Sequence, residues 1–499
     1  MRCFMVQLKL WLILGLLLSV VVTTKASVSD DGYERCELTV KKWASSSIDS
    51  EVKENKNTLH DLLFFLHVPR TGGRTYFHCF LKKLYANFEE CPRSYDKLRF
   101  NPRKTKCHLL STHDDYSMMS KLPKEITSVM TILRNPIDRV FSTYEFSVEV
   151  AARFLVHPNL TSVARASRMA QRVRRKASVS TLDIWPWKYL VPWMREDLFA
   201  RRDTRKLRGQ SQLVTNNSYD MEDMLMPLHD YINDPIARDI VHNGATFQIA
   251  GLTNNSYFVE SHKVRHCVLK YQNLGEYVLE VAKKRLDDML YVGLTENHKE
   301  SATIFANVVG AQVISQHTIS SSSGDVASNN VSEQRTRVPD TKSDARAQGN
   351  KTEDSSTVND AAARGNLTTE KLIEAYETCI ASLRSTQAER RVNSLKEISP
   401  ANFTKEARLH VPEVLIQEIT SLNRLDVELY KYAQQIFTKQ QTHMTQNDYA
   451  ERANNTLSYP DYYTSPPSWR FMSLAMTGLA LLFILFFVNV RRRTSKVKL

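Results

Sequence analysis

No Cys-x-x-Cys pair and no His/Cys cluster at zinc-ligand spacing occurs in the 499 residues, which argues against a structural metal. There is no Gly-x-x-x-x-Gly-Lys-[Ser/Thr] loop either, so magnesium-dependent triphosphate hydrolysis is disfavoured. An acidic excess is also missing. Lys plus Arg number 67 against 54 for Asp plus Glu, a formal charge of +13 that favours an acidic partner without saying anything of fold. Aromatic residues all but vanish from 311–368, a stretch rich in Ser, Thr, Asp, Asn and Ala that cannot bury enough apolar surface to order itself. Charge is wholly absent from Phe471 to Val490, a run long enough for one membrane-spanning helix.

What is present at the ends defines a compartment. Arg2, an apolar stretch from Leu10 to Val22 and the small-residue site at Thr24-Lys25-Ala26 read as a signal peptide cut near Ala26. Arg491, Arg492, Arg493, Lys496 and Lys498 follow the apolar run at the other end, and positive residues stay on the cytosolic side. The predicted topology is therefore a single-pass type I membrane protein with a luminal body. Sequons at Asn159, Asn216, Asn254, Asn330, Asn350, Asn366, Asn402 and Asn454 agree with a glycosylated luminal chain. Cys36, Cys79, Cys91, Cys107, Cys267 and Cys379 remain after the signal and suggest disulfides whose pairing stays open. A luminal location excludes nucleic acid as a partner. Oligomeric state is left open.

Between the ends, apolar runs alternate with amphipathic stretches, the pattern of an α/β domain with a parallel sheet and helices on both faces. Leu62 to Val68 and Thr127 to Leu133 read as buried strands. Arg74 to Tyr85 reads as a helix with Tyr76, Phe77, Phe80, Leu81 and Leu84 on one face, and Pro136 to Val150 as another. An amphipathic helix at 277–290 leads into the strand-like Leu290-Tyr291-Val292, and 411–442 reads as one helix with Leu415, Ile416, Ile419, Leu422, Leu425, Leu429 and Tyr432 inward. The expected organisation is a signal peptide (1–26), a loosely ordered polar lead-in (27–58) and a catalytic domain (59–310). A disordered insertion (311–368) and helices packing back on the domain (369–442) follow, then a stalk (443–468), the span (471–490) and a basic tail (491–499).

Two strand ends carry anion-binding chemistry. After the first strand comes Arg70-Thr71-Gly72-Gly73-Arg74-Thr75, a glycine turn opening a helix, where unpaired N–H groups and the helix dipole favour negative charge. A ligand-free strand-turn-helix corner gives the same pattern. After the second strand, Arg134 precedes Pro136, which starts a helix, and Ser142 offers a hydroxyl to the same group, while Arg139 reads as a surface or ion-pair residue. Two such sites on one sheet suit a ligand with phosphates at both ends.

The turn at 70–75 resembles the 5′-phosphosulfate loop of sulfotransferases, and Arg134 with Ser142 resembles their 3′-phosphate motif. The resemblance implies 3′-phosphoadenosine-5′-phosphosulfate as donor. His113-Asp114-Asp115-Tyr116, Ala282-Lys283-Lys284, Gly293-Leu294-Thr295-Glu296 and Leu425-Asp426-Val427-Glu428-Leu429-Tyr430 are similar to elements of the heparan sulfate 6-O-sulfotransferase family. That family usually has Lys at the place of Arg70 and Thr at that of Arg74, and an N-terminal anchor. A signal peptide with a C-terminal span, at this length, resembles the plant tyrosylprotein sulfotransferases. By that resemblance Arg70 stabilises the leaving phosphate and His113 is the general base for the acceptor hydroxyl; Asp114 or Asp115 would orient His113. His67, placed inside the first strand, and His108 are weaker candidates. The implied acceptor is a tyrosine in an acidic secreted peptide, sulfated in the Golgi. Arg165, Arg168, Arg172, Arg174 and Arg175, with Arg195, Arg201, Arg202, Arg205 and Arg208, form either a solvated face or a wall for that peptide. A glycan acceptor, or an inactive membrane-anchored binding protein, are the alternatives.

Overall fold

The computed structural model describes residues 31–49, 57–91, 107–156, 219, 227–235, 237–324, 367–395 and 403–456. The signal peptide, the arginine-rich stretch 165–208 and the apolar run 471–490 lie outside the described residues. Among the described residues no helix is long and apolar enough to cross a membrane. The chain divides into two units, Met1–Thr442 and His443–Leu499. In the second, the described residues, through Thr456, are helical.

Four parallel strands form the sheet of the first unit: β1 (Leu62–Leu66), β2 (Leu109–Thr112), β3 (Thr127–Leu133) and β4 (Tyr291–Leu294), in the order β2-β1-β3-β4. β1 is Leu-Leu-Phe-Phe-Leu and every residue is buried, as a strand covered on both faces requires. Phe64 pairs with Leu110 on one side and with Val129 on the other. The chain leaves β1 toward β2, then returns past it to β3 and β4. Right-handed crossovers in opposite directions place the connections on opposite faces, and the crevice for a ligand opens at the carboxyl ends of β1 and β3. β2 escapes the sequence reading because only Leu109 and Leu110 are apolar before Ser111 and Thr112.

The helix after β1 begins as Gly73–Tyr76, passes through a π-turn at Phe77–Leu81 and ends as Lys82–Leu84. Its expected inward face is the buried one. The helix after β3 runs Pro136–Val156.

Three segments depart from expectation. Residues Asp31–Asp49 form a helix instead of a loose lead-in. Val40, Trp43, Ala44 and Ser47, spaced as one helical stripe, are buried against the helices Ser261–Lys270 and Gly275–Asp287, and Cys36 is bonded to Cys267. The helix Ala311–Gly324 carries order past 310, with Val313 buried and Gln312 Oε1 accepting from the Leu59 amide at 2.7 Å. The 411–442 helix is two helices, Glu413–Leu422 and Arg424–Thr456, broken at Asn423.

That break is specified by a reciprocal pair of asparagines. Asn243, itself left-handed at φ 50°, gives its amide to Asn423 Oδ1 at 3.1 Å and accepts the Leu425 amide at 2.9 Å. The new helix start aims Asp426 inward. Its carboxylate takes Arg139 Nη2 at 2.8 Å, the Thr246 amide at 2.8 Å and the Thr246 hydroxyl at 2.7 Å. Arg139 is thus a buried ion-pair residue, its side chain 1% exposed like that of Asp426. The pair joins the helix after β3 to the C-terminal helices.

Removing one member of a buried pair strands the other charge. Asp426→Ala should lose about 3–5 kcal/mol of stability, read from the denaturant midpoint, with Asp426→Asn retaining part of it. A loss below about 1 kcal/mol would put the pair among surface-like contacts.

Candidate active site

The turn after β1 is held in an unfavourable conformation. Arg70 has φ 68° and Gly72 φ 81°. Left-handed backbone suits Gly72, but for an arginine it costs about 1–2 kcal/mol and marks a functional constraint. Thr71 stabilises the turn by donating its hydroxyl to the Val68 carbonyl at 2.8 Å. Buried there, Thr71 does not line the cleft, contrary to the ligand role read for it; its contribution is to the turn. Gly73 is required by contact: a Cβ would lie 2.3 Å from the His67 ring. Gly72, Gly73, Arg74 and Thr75 line a cleft of about 630 Å³ at the carboxyl end of the sheet, together with Arg70, Arg134, Ser142 and His113.

The bend throws the Arg70 side chain across to the β3 side. Its Nε and Nη2 donate to Ser142 Oγ at 3.1 and 2.9 Å, and its guanidinium lies 4.4 Å from the centre of the Phe146 ring, one turn further along the same helix. Arg134 in turn donates Nη1 to the Arg70 carbonyl at 3.3 Å. Burial, and next the charge of Arg134, push the Arg70 guanidinium down to about 10, still charged at neutral pH. Burial lowers Arg134 as well. Arg134 Nε is buried with no hydrogen-bond partner, and Glu296 Oε1 stands 3.9 Å away. An orphaned charged donor beside a second, half-buried guanidinium and a helix-opening turn can hold a polyanion.

The Gly293–Glu296 stretch explains why the two loops stay together. Thr295 donates its hydroxyl to the carbonyls of Thr71 at 2.7 Å and Leu133 at 3.0 Å, so one side chain ties both strand ends. Glu296 accepts the Asn135 amide at 3.0 Å and the Tyr430 hydroxyl at 2.7 Å.

His113 sits one residue past β2, buried. Its Nδ1 lies 2.8 Å from the His67 carbonyl, to which it donates, and this tautomer puts the lone pair on Nε2. Burial drives the imidazole down to about 4, against a smaller upward pull from that hydrogen bond. The neutral base form is therefore held ready. Asp114 takes the Thr112 hydroxyl at 2.7 Å, and Asp115 caps the next turn and takes the Thr253 amide and hydroxyl. The His67 main-chain carbonyl orients the His113 ring. Gln248, which the sequence did not single out, locks that carbonyl: its Nε2 reaches the carbonyls of His67 at 3.2 Å and His113 at 2.9 Å.

His67 lies just beyond β1, not in it, and stacks on His113 with ring centres 4.2 Å apart in the cleft lining. Burial, then His113 and Arg70, hold its proton affinity low. His108 stands just before β2, at the opposite end of the strand, bonded to the Asp61 carbonyl at 2.9 Å and outside the cleft lining.

The far wall comes from the helix Thr369–Leu395, which contributes Arg384, Arg390 and Arg391. Arg391 Nε lies 3.5 Å from Glu149 Oε2, and Cys379 is bonded to Cys79 in the helix after β1. Helical periodicity marks this segment in the sequence, but nothing local ties its arginines to motifs some three hundred residues earlier, as the Cys79–Cys379 separation of 300 shows. Among the described residues no group of three or more His, Cys, Asp or Glu could hold a metal.

A parallel sheet whose reversal point gathers two half-buried arginines, a glycine turn and a neutral histidine defines a group transferase of the sulfotransferase type, acting with an anionic donor. The Protein-tyrosine sulfotransferase of Arabidopsis thaliana is 58% identical over 496 residues, 97% of this chain and 98% of its own length. The chain belongs to the protein-tyrosine sulfotransferase family. No protein-family model matches it.

The unfolded His113 imidazole takes a proton near 6.5 and the folded one not until about 4, so this group's contribution to stability falls as pH drops through that interval. Nuclear magnetic resonance of the His113 ring should show a midpoint near 4; a midpoint at the ordinary value would mean the ring is solvated.

Proposed function

We propose that this chain transfers the sulfuryl group of 3′-phosphoadenosine-5′-phosphosulfate to tyrosine hydroxyls of acidic secreted peptides or proteins. The observation that carries this reading is a neutral His113 imidazole in the same cleft as the Arg70–Arg134 anion site. The family's named activity supports the tyrosine acceptor.

The donor supplies an activated sulfuryl group on a phosphate leaving group. Its two anionic ends suit the two strand ends: Arg134 and Ser142 for the 3′-phosphate, and the Gly72–Thr75 turn for the 5′ side. Arg70 bridges them, its backbone in the turn and its guanidinium on Ser142. Charge building on the leaving oxygen is stabilised by donors already in place, so little reorganisation is needed. A tyrosine hydroxyl, with a pKa of about 10, loses its proton to Nε2 of His113 as the new bond forms. Burial makes His113 a weak base, and the negative charge of a bound donor raises its proton affinity toward that task.

The apolar run 471–490 with its basic flank, and the signal peptide, support a Golgi membrane enzyme of type I topology with its catalytic unit in the lumen.

His113→Ala should keep donor affinity and lose transfer by about 10²–10⁴-fold; near-normal turnover removes it as the base. Arg134→Ala should weaken donor binding measured by calorimetry, and an unchanged affinity rejects the 3′-phosphate assignment. The purified protein, given labelled donor, should mark an acidic tyrosine peptide and spare both its Tyr→Phe twin and a heparan-like oligosaccharide. Label on the sugar alone would overturn the tyrosine reading, and donor binding without any transfer would leave a binding protein.

A further inference from the structure

The helix Thr369–Leu395 faces two concavities. Its later residues wall the catalytic cleft, while Ile373, Tyr376, Glu377 and Ile380 line a neighbouring cavity of about 230 Å³ together with His298 and Lys299. Arg384 lines both. His298 and Lys299 begin the helix that follows β4, at the carboxyl end of the sheet where the cleft opens. We infer that Arg384, with Lys299 and His298, forms a subsite for a carboxylate of the acceptor peptide next to its tyrosine.

Three observations carry this. First, the charges converge: burial lowers the proton affinity of His298 most, and Arg384 and Lys299 both lower it further, with Glu300 acting the other way. Second, they are uncommitted. Arg384 and Lys299 are exposed, and among the described residues neither makes an ion pair; Glu377 is the acidic member of the cavity lining. Arg391, two helical turns along, is instead engaged by Glu149 on the helix that carries Ser142, and so belongs to the donor side. Third, the spacing fits a peptide. Two helical turns are about 10 Å, the span of about three extended residues. A carboxylate within a few positions of the reacting tyrosine can then lie against Arg384 while its neighbours follow the second cavity. Exposed charges of this kind select partners and hasten encounter more than they add raw affinity.

The subsite rests on the acidic-tyrosine-peptide reading, and one experiment separates the two. The full-length protein in detergent is assayed with three peptides that differ only beside the tyrosine: Asp, Asn or Lys. Wild type should prefer the Asp peptide. Arg384→Glu should raise KM for that peptide by about tenfold, a charge reversal at a solvent-facing pair, and should change KM for the Asn peptide far less. The same variant should gain on the Lys peptide. Wild type that treats the three peptides alike would remove the acidic preference itself. Wild type that discriminates while Arg384→Glu discriminates equally well would overturn the subsite alone. A rise in donor KM, or an equal loss on all three peptides, would also overturn it, by placing Arg384 with the donor or in the fold. Lys299→Glu, tested in parallel, should shift the peptide preference in the same direction.

Discussion

Two like charges are held together where the sheet reverses direction, and most of the surrounding chemistry exists to keep them there. Arg134 donates to the backbone of Arg70, and Arg70 reaches over to the helix that follows Arg134. Left alone, the guanidiniums repel and their burial is costly. The fold opposes this with neutral partners as much as with acids: a serine hydroxyl, the face of a phenylalanine, and a threonine that joins both strand ends. Glu296 stands near enough to moderate Arg134 without capturing it. The outcome is a pocket whose electrostatic balance is completed by an anion from outside.

Rigidity behind the cleft comes from a different kind of contact. Asp426 satisfies a guanidinium, two amides and a hydroxyl within one buried cluster, so four groups from two other helices share a single carboxylate. Such a cluster contributes geometry more surely than net stability. Gln248 plays the smaller counterpart on the other side, holding the carbonyl that orients His113.

The motifs legible in the sequence were those whose parts lie close along the chain. The glycine turn, Arg134 with Ser142, and His113 each follow a strand end, and parallel pairing brings three strand ends to one edge. Periodicity found the helices at 73–84, 136–156 and 275–287, because one buried stripe is enough to see them. It passed over β2, too short and too polar, and joined 411–442 across a break set by Asn243, far away in sequence. Side-chain roles were less legible than positions. Thr71 looked like a ligand and is a turn clasp; Arg139 was rightly left as an ion-pair candidate, but its depth depends on a partner 287 residues on. Gln248, Phe146 and the arginines of the far wall have no local signature, since each acquires its meaning only from what the fold lays against it.

The bond between Cys79 and Cys379 has a consequence in time. Its ends are 300 residues apart, and the first belongs to the helix that opens the anion site. During synthesis the glycine turn is made early, whereas the helix that becomes the opposite wall emerges only after most of the chain. Until then the nascent enzyme has half a cleft. Closing the covalent clasp is therefore an event of maturation, and a chain that ends before Cys379 lacks both the closing sulfur and the arginines that follow it.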